Sequence, residues 1–494
     1  MLFTDPYFLF AFLPVSLLLY YGSRRYAGGR LAIWVLLVAS VGFYGYWSIK
    51  YLALLLGQIL MNYLFGQRLS RTQSRALLWL GIGANLALLG YFKYRNFFLE
   101  NVTALTGWEF HLAALFVPLG ISFHTFQQIT FLTDVADGEE EVPPLPQYVL
   151  FVMFFPQLIA GPIVLHREMG RQLAALAADN WSKALTFGPG FAIFCFGLFK
   201  KVCLADNLAP FVDSVFNWPA HVQFIEAWCG AVGYALQLFF DFSGYSDMAV
   251  GLGLMFGFVL PFNFNVPFAA TSMTEYWKRW HITMTRFFTM YCYTPLALSA
   301  HRAVDDRGIG RTAAFLRCIA VPTLVTFLAS GLWHGAGWTF IVFGLVNGIG
   351  LLINHLWREA KMPVLPDWLG WLLTALTILV SLVYFRATSL EQADYLLTTM
   401  FLPHAIYLPI WADAAASRLG LPVTFFEVFS AANFAAHYVC LLLLLAPLSV
   451  LLPNPAMKPL GIRPGYRTAF VTAAMLWLTL GWIGEPRTFL YFQF

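Results

Sequence analysis

Apolar runs recur from one end of this chain to the other, as in LAIWVLLVASVGFYGYW (residues 31–47) and WLLTALTILVSLVYF (371–385). A backbone in hydrocarbon must satisfy its own hydrogen bonds, so only helices or a closed barrel can span it. The runs are continuous rather than alternating, which selects helices. Of the 494 residues, 60% are hydrophobic and 11% charged; a soluble domain carries about 25% charged residues. The sequence therefore predicts an all-α polytopic membrane protein.

Apolar segments cover 7–22, 31–48, 51–66, 76–92, 110–133, 146–161, 184–203, 223–240, 244–262, 314–332, 338–356, 367–385, 435–452 and 468–484. Several fall short of the ~20 residues a perpendicular span needs. About 11 transmembrane helices plus re-entrant and interfacial helices are expected, in one transmembrane domain over residues 1–494. The start, MLFTDPYFLFAFLPVSLLLYYGSRR, has Asp5 where a leader would be basic, and its arginines follow the apolar stretch. It reads as a first retained span. Basic loops mark the cytoplasmic side. Arg24, Arg25 and Arg30, then Arg68, Arg71 and Arg75, then 301–311 and 457–467 fall inside by this rule, and both termini outside.

The net charge of +4 is small for this length and no Lys/Arg-rich run is present, so nucleic acid is not an expected partner. Cys195, Cys203, Cys229, Cys292, Cys318 and Cys440 are scattered, without C-x-x-C spacing, and read as packing residues. No metal site is expected: no histidine pair has zinc-type spacing with a glutamate. A G-x-S-x-G elbow and a P-loop are also absent.

The stretch FLASGLWHGAGWTFIVFG (327–344) places His334 among Trp333, Trp338 and the glycines 331, 335 and 337. Gly335 and Gly337 permit a tight turn or a helix break. A hairpin would put His334 toward the outer end, and a broken helix would put it deeper. Burial favours the neutral imidazole, the form that accepts a proton. An ionisable residue inside a membrane is a functional candidate by default; the alternative is a histidine bonded to a backbone carbonyl.

A second cluster, SMTEYWKRWHITMTRFF (272–288), packs Glu275, Lys278, Arg279, His281 and Arg286 around Tyr276, Trp277 and Trp280. At helical spacing Glu275 and Lys278 share a face, as do Arg279 and Arg286. Such a segment suits a cytoplasmic opening for an anionic ligand, or a plain interfacial anchor. In LQLFFDFSGYSDMAVGLG (236–253), Asp241, Ser243, Tyr245, Ser246 and Asp247 fall where hydrocarbon is expected. They either face a protein-lined cavity or cap a helix near Gly244. In FFPQLIAGPI (154–163), Pro156 and Gly161-Pro162 break a helix around Gln157. Broken helices at membrane depth line cavities or form re-entrant kinks.

These stretches, with PFNFNVPFAATSMTEYWKRWHIT (261–283), the start FTDPYFLFAFLPV and the terminal YFQF, resemble the membrane-bound O-acyltransferase (MBOAT) family, in its alginate O-acetylation branch. They occur in that branch's order from end to end. The resemblance implies a ring of helices around a thin centre with funnels on both faces. It also implies that His334 matches the catalytic histidine and His281 the branch's second histidine. It makes Trp333, Lys278, Arg279, Trp280, Glu275, Asn265, Tyr245, Asp247, Ser243 and Gln157 candidates for the substrate and donor channel. Past His281 the chain reads ITMTRFFTMYCYTPLALSA, without the branch's Arg-Asp-Tyr and Pro-Leu-Gly-Gly.

The implied activity is O-acetyl transfer at a bacterial inner membrane, with both termini periplasmic. The donor would be acetyl-CoA or another acyl thioester, with no bound cofactor. The acceptor would be an exported polysaccharide of the alginate or cellulose type, with a periplasmic acetyltransferase or secretion proteins as partners. Neutral His334 would serve as general base, and His281, Lys278 and Arg279 would shape the donor opening on the opposite side. Two other classes fit the composition. A transporter or export channel would use Asp241 and Asp247 as ion sites, and a scaffold subunit of a secretion complex would tolerate loss of both histidines.

Overall fold

The computed structural model describes residues 1–108, 110, 115–179, 186–217, 222–305, 310–402, 407–409, 418, 424–426, 436–458, 461–463, 465–483 and 489–490. The terminal YFQF lies outside the described residues. The first helices are α1 (Leu13–Ala27), α2 (Gly29–Trp47), α3 (Ile49–Thr72), α4 (Arg75–Leu89), α5 (Arg95–Thr106), α6 (Ile121–Ala136), α7 (Leu145–Met153) and α8 (His166–Ala177). The middle holds α9 (Phe187–Phe199), α10 (Asp206–Asn217), α11 (Phe224–Met255), α12 (Met273–Arg279), α13 (Ile282–Phe288), α14 (Thr294–Asp305) and α15 (Arg311–Phe315). The last are α16 (Val321–His334), α17 (Trp338–Glu359), α18 (Asp367–Arg386), α19 (Leu390–Phe401), α20 (Ala436–Leu451) and α21 (Tyr466–Trp482). Strands β1 (Tyr407–Pro409) and β2 (Thr424–Phe426) form a small parallel pair.

Among the described residues, eight helical stretches are long and apolar enough to cross a membrane: Gly29–Trp47, Ile49–Thr72, Arg75–Thr106, Phe187–Asn217, Arg311–His334, Trp338–Glu359, Asp367–Arg386 and Tyr438–Met457. A count of eleven is not confirmed: among the described residues the runs 7–22, 110–133, 146–161, 223–240, 244–262 and 468–484 supply none of the eight. Among the described residues, the 110–133 run holds the 16-residue α6, 146–161 gives the nine-residue α7 followed by a turn, and 244–262 leaves its helix at Met255.

Contacts divide the chain into two compact units. One holds Met1–Phe199, Gly244–Phe262 and Pro455–Gln493; the other holds Lys200–Ser243, Asn263–Asn454 and Phe494. In the first unit a buried amide cluster joins α3, α4 and α6. Asn62 and Asn85 exchange side-chain hydrogen bonds at 3.0 and 2.6 Å, Asn62 donates to Gln128 at 3.0 Å, and Gln58 donates to Thr125 at 3.2 Å. Such bonds hold helices together where apolar packing alone has no drive, each worth about 0.6 kcal/mol. On α9 and the last turns of α11, Gly190 faces Gly251 and Gly197 faces Gly244 so closely that a Cβ on Gly190 or Gly197 would strike the opposing backbone. Gly244 is thus a close-packing residue inside an unbroken helix, and Asp241 and Asp247 are mid-helix rather than caps.

In the second unit, α16 and α17 form a hairpin on glycine. A Cβ on Gly331 would overlap the Phe340 carbonyl, and one on Gly344 the Phe327 carbonyl. The segment before α10 winds as a π-helical turn, Lys200–Ala205. It carries Lys201 to a buried pairing with Asp241 at 2.7 Å and to partly exposed Asp206 at 2.6 Å. Asp241, which could have lined a cavity, is the partner of a lysine.

Candidate active site

The site is assembled in the second unit from two chain reversals. The first separates α12 from α13. His281 adopts the left-handed backbone conformation, φ 43°, ψ 53°, which costs a non-glycine residue free energy. The reversal is held by the preceding loop: Asn265 N–H donates to the Arg279 carbonyl at 2.9 Å and Ile282 N–H to the Asn263 carbonyl at 2.9 Å. Because the helix stops here, Arg279 and Arg286 do not lie along one helix face as expected. Arg279 instead pairs with Glu275 at 2.5 Å, one turn back, while Lys278 is exposed. Desolvation raises the Glu275 carboxyl, but the Thr271 N–H and Arg279 outweigh it and hold the group below its usual range. Ser272 caps α12 by accepting from the Glu275 N–H at 3.2 Å.

The same reversal turns His281 inward, to no exposed surface. This differs from the expected opening shared with Lys278 and Arg279. The ring packs against Phe242 (centroids 4.7 Å) and Trp333 (5.9 Å). Its Nδ1 lies 3.3 Å from Asn263 Oδ1, an atom that also accepts from the Thr283 hydroxyl at 2.6 Å and the Thr283 N–H at 3.2 Å. A backbone N–H can only donate, so that Asn263 atom is the oxygen, and His281 Nδ1 must carry the hydrogen. Nε2 is then the lone-pair nitrogen, and it has no partner among the described residues. Burial pushes the His281 imidazole down to about 3, so it is neutral at physiological pH. Trp280 beside it is buried, stacked on Tyr276 at 5.8 Å.

The second reversal is the α16–α17 turn. His334 is the last residue of α16, and the chain runs extended through Gly335 and Gly337 into α17. The hairpin reading is the one found. Gly335 is required for space, since a Cβ would overlap the Phe340 ring; at Gly337 nothing lies closer than 3.6 Å. His334 is 6% exposed, boxed by Trp333, Phe385 and Phe343 at centroid distances of 4.8, 5.0 and 5.7 Å. Trp338, the other flanking tryptophan, is 54% exposed. The two Trp-His pairs therefore meet: Trp333 touches both imidazoles.

Of the other candidates, Ser243 follows Phe242 on α11, buried, with a hydroxyl lacking a partner among the described residues. Asn265 contributes its backbone, also accepting from Arg279 Nη1 at 3.5 Å. Gln157, Tyr245 and Asp247 belong to the other unit. Gln157 closes the turn after α7 by donating to the Phe151 carbonyl at 2.7 Å, and Tyr245 stacks on Phe3 at 4.8 Å; Asp247 is buried on α11. Sequence reasoning passed over Asn263, Thr283, Phe343 and Phe385. Asn263 had a signal: it is a polar residue between Phe262 and Phe264. Among the described residues no three His, Cys, Asp or Glu side chains gather as a metal site.

A model of the family described as MBOAT, membrane-bound O-acyltransferase, matches residues 17–391, a range that contains both histidines. The chain is 40% identical over 430 residues to a peptidoglycan O-acetyltransferase of Helicobacter pylori, covering 80% of this chain and 78% of that protein. It is 38% identical over 412 residues to a probable alginate O-acetylase of Azotobacter vinelandii, covering 81% and 78%. A teichoic acid D-alanyltransferase of Bacillus subtilis is 28% identical over 238 residues, covering 47% and 57%.

Proposed function

The chain belongs to the membrane-bound O-acyltransferase family and is an O-acyltransferase; from that premise we propose that it carries an acetyl group from a cytoplasmic thioester, acetyl-CoA or a similar donor, across or within the membrane to an exported polysaccharide of the cell envelope. The names of the relatives support acetyl as the cargo, and alginate-type or peptidoglycan-type glycan as the acceptor class. The protein sits in the bacterial inner membrane with both termini periplasmic, and a periplasmic acetyltransferase or secretion partner receives the acetyl group or the polymer.

His334 acts as general base. It takes the proton from the acceptor hydroxyl as that oxygen attacks the thioester carbonyl; the tetrahedral intermediate collapses, the C–S bond breaks, and the thiolate leaves with the proton returned from His334. The ring stands at the C-terminal end of α16, where the negative end of the helix dipole meets the positive charge that forms. The aromatic box excludes water, so electrostatic effects inside it are strong. His281, neutral and with Nε2 unpartnered among the described residues, accepts a hydrogen bond, while exposed Lys278 supplies positive charge for an anionic donor. The observation that carries the reading is the meeting of both Trp-His pairs at Trp333 in a chain of this family. O-acetyl content of the envelope polysaccharide in His334→Ala and His281→Ala strains, at matched protein level, tests it. Normal acetylation with well-folded His334→Ala removes the proposal.

A further inference from the structure

A cavity of about 210 Å³ lies in the second unit between α12, α13, α16 and α17. One end is Met284, Phe288 and Ser330, next to the active site: Phe288 meets Trp333 at 6.5 Å, and Ser330 is one turn before His334. The other end reaches Leu351 and half-buried His355. No acidic residue lines it. The volume is many times the ~10–15 Å³ that one water requires and below the ~300 Å³ of a pocket for a whole small molecule. It fits a segment of a longer chain.

Two side chains in its wall have unused polar atoms. Trp277 is 5% exposed and Thr323 is 1% exposed, yet Trp277 Nε1 and Thr323 Oγ1 have no hydrogen-bond partner among the described residues. A buried N–H and a buried hydroxyl left unpaired in a native fold call for an occupant. That occupant must offer an acceptor oxygen, since the indole can only donate. Thr289 in its wall is exposed, and on the same elements Met290, next in sequence, and Val321 and Val325 on α16 are apolar and exposed. In a membrane protein such a rim faces hydrocarbon, so the occupant arrives from the bilayer.

We propose that this cavity binds one tail of a bilayer lipid, with an ester oxygen of that lipid accepting from Trp277 and Thr323. The tail is a non-reacting ligand. It packs against Phe288, which in turn contacts Trp333. The site stands apart from the transfer reaction, whichever acyl group is moved.

The test uses the full-length protein in vesicles of phosphatidylethanolamine and phosphatidylglycerol doped with a phosphatidylethanolamine carrying a photoactivatable diazirine in one acyl chain. Cross-linked peptides are mapped by mass spectrometry. Labelling is expected to concentrate on 284–289 and 323–330, above the lipid-facing surface of α18. It should be abolished by the cavity-filling Thr326→Trp and weakened about fivefold by the near-isosteric Thr323→Val, the size of one neutral hydrogen bond. Equal labelling of α18, or labelling unchanged in both variants, overturns the site. Coenzyme A, whose amide-bearing arm also offers acceptor oxygens, is added in excess as a second arm. Displacement of the label by it assigns the cavity to the thioester donor and overturns the lipid assignment.

Discussion

The ring centroids of His281 and Trp333 lie 5.9 Å apart and those of Trp333 and His334 4.8 Å apart, so a single indole contacts two imidazoles. Trp333 is 3% exposed and contacts Phe288 as well. Trp333→Ala should open a void of indole size beside both histidines and cost about 3–5 kcal/mol in stability. Trp333→Phe keeps most of the wall and should lose much less in both thermal midpoint and transfer rate. Equal losses for the two variants would contradict a wall role.

Asn263 sets which nitrogen of His281 is free. Asn263→Ala removes the acceptor of the buried Nδ1–H and of the Thr283 hydroxyl, at a cost of about 1–3 kcal/mol. With the ring released from one tautomer, the transfer rate should fall while KM for the donor changes little. Steady-state kinetics on the purified variant separate the two. A change confined to KM would place Asn263 in donor binding instead.

The depressed His281 group has a stability consequence. Its folded-state value of about 3 lies below the ordinary imidazole value of 6.5. As pH falls below 6.5 the unfolded chain takes up a proton that the folded chain refuses, so the contribution present above pH 6.5 is lost progressively toward pH 3. Replacing the ring by a non-titrating one, His281→Phe, should flatten the decline of the thermal midpoint between pH 6.5 and 4. An unchanged slope would mean that the folded ring takes up a proton as readily as the unfolded one.

How much of this was legible depended on the kind of signal. The α16–α17 hairpin was readable because Gly335 and Gly337 punctuate a long apolar run, and it ends and restarts at His334 and Trp338. The break at His281 was not, since WKRWHITM contains neither Gly nor Pro; the turn is imposed by the tertiary bonds from Asn263 and Asn265. Gly244 misled in the opposite direction. It looked like punctuation and serves as a close-packing surface for α9. Pairing partners were invisible for the same reason: the preference of Glu275 for Arg279 over Lys278, and of Asp241 for Lys201, follows from where the helices stop and cross.

Lys201 pairs with both Asp206 and Asp241. Lys201→Met should remove the Lys201 ammonium from buried Asp241 and destabilise the protein by up to about 3–5 kcal/mol. Adding Asp241→Asn should recover part of that loss. A double variant no more stable than Lys201→Met would show that Asp241 is not the residue stranded.

The central claim is that His334 takes the acceptor proton. The direct measurement is the rate of labelled acetyl transfer from acetyl-CoA by proteoliposomes containing wild type or His334→Asn, with matched thermal midpoints. The account predicts a drop of about 10²–10⁴-fold, the usual worth of a positioned base. A rate within about tenfold of wild type, below that range, would contradict it.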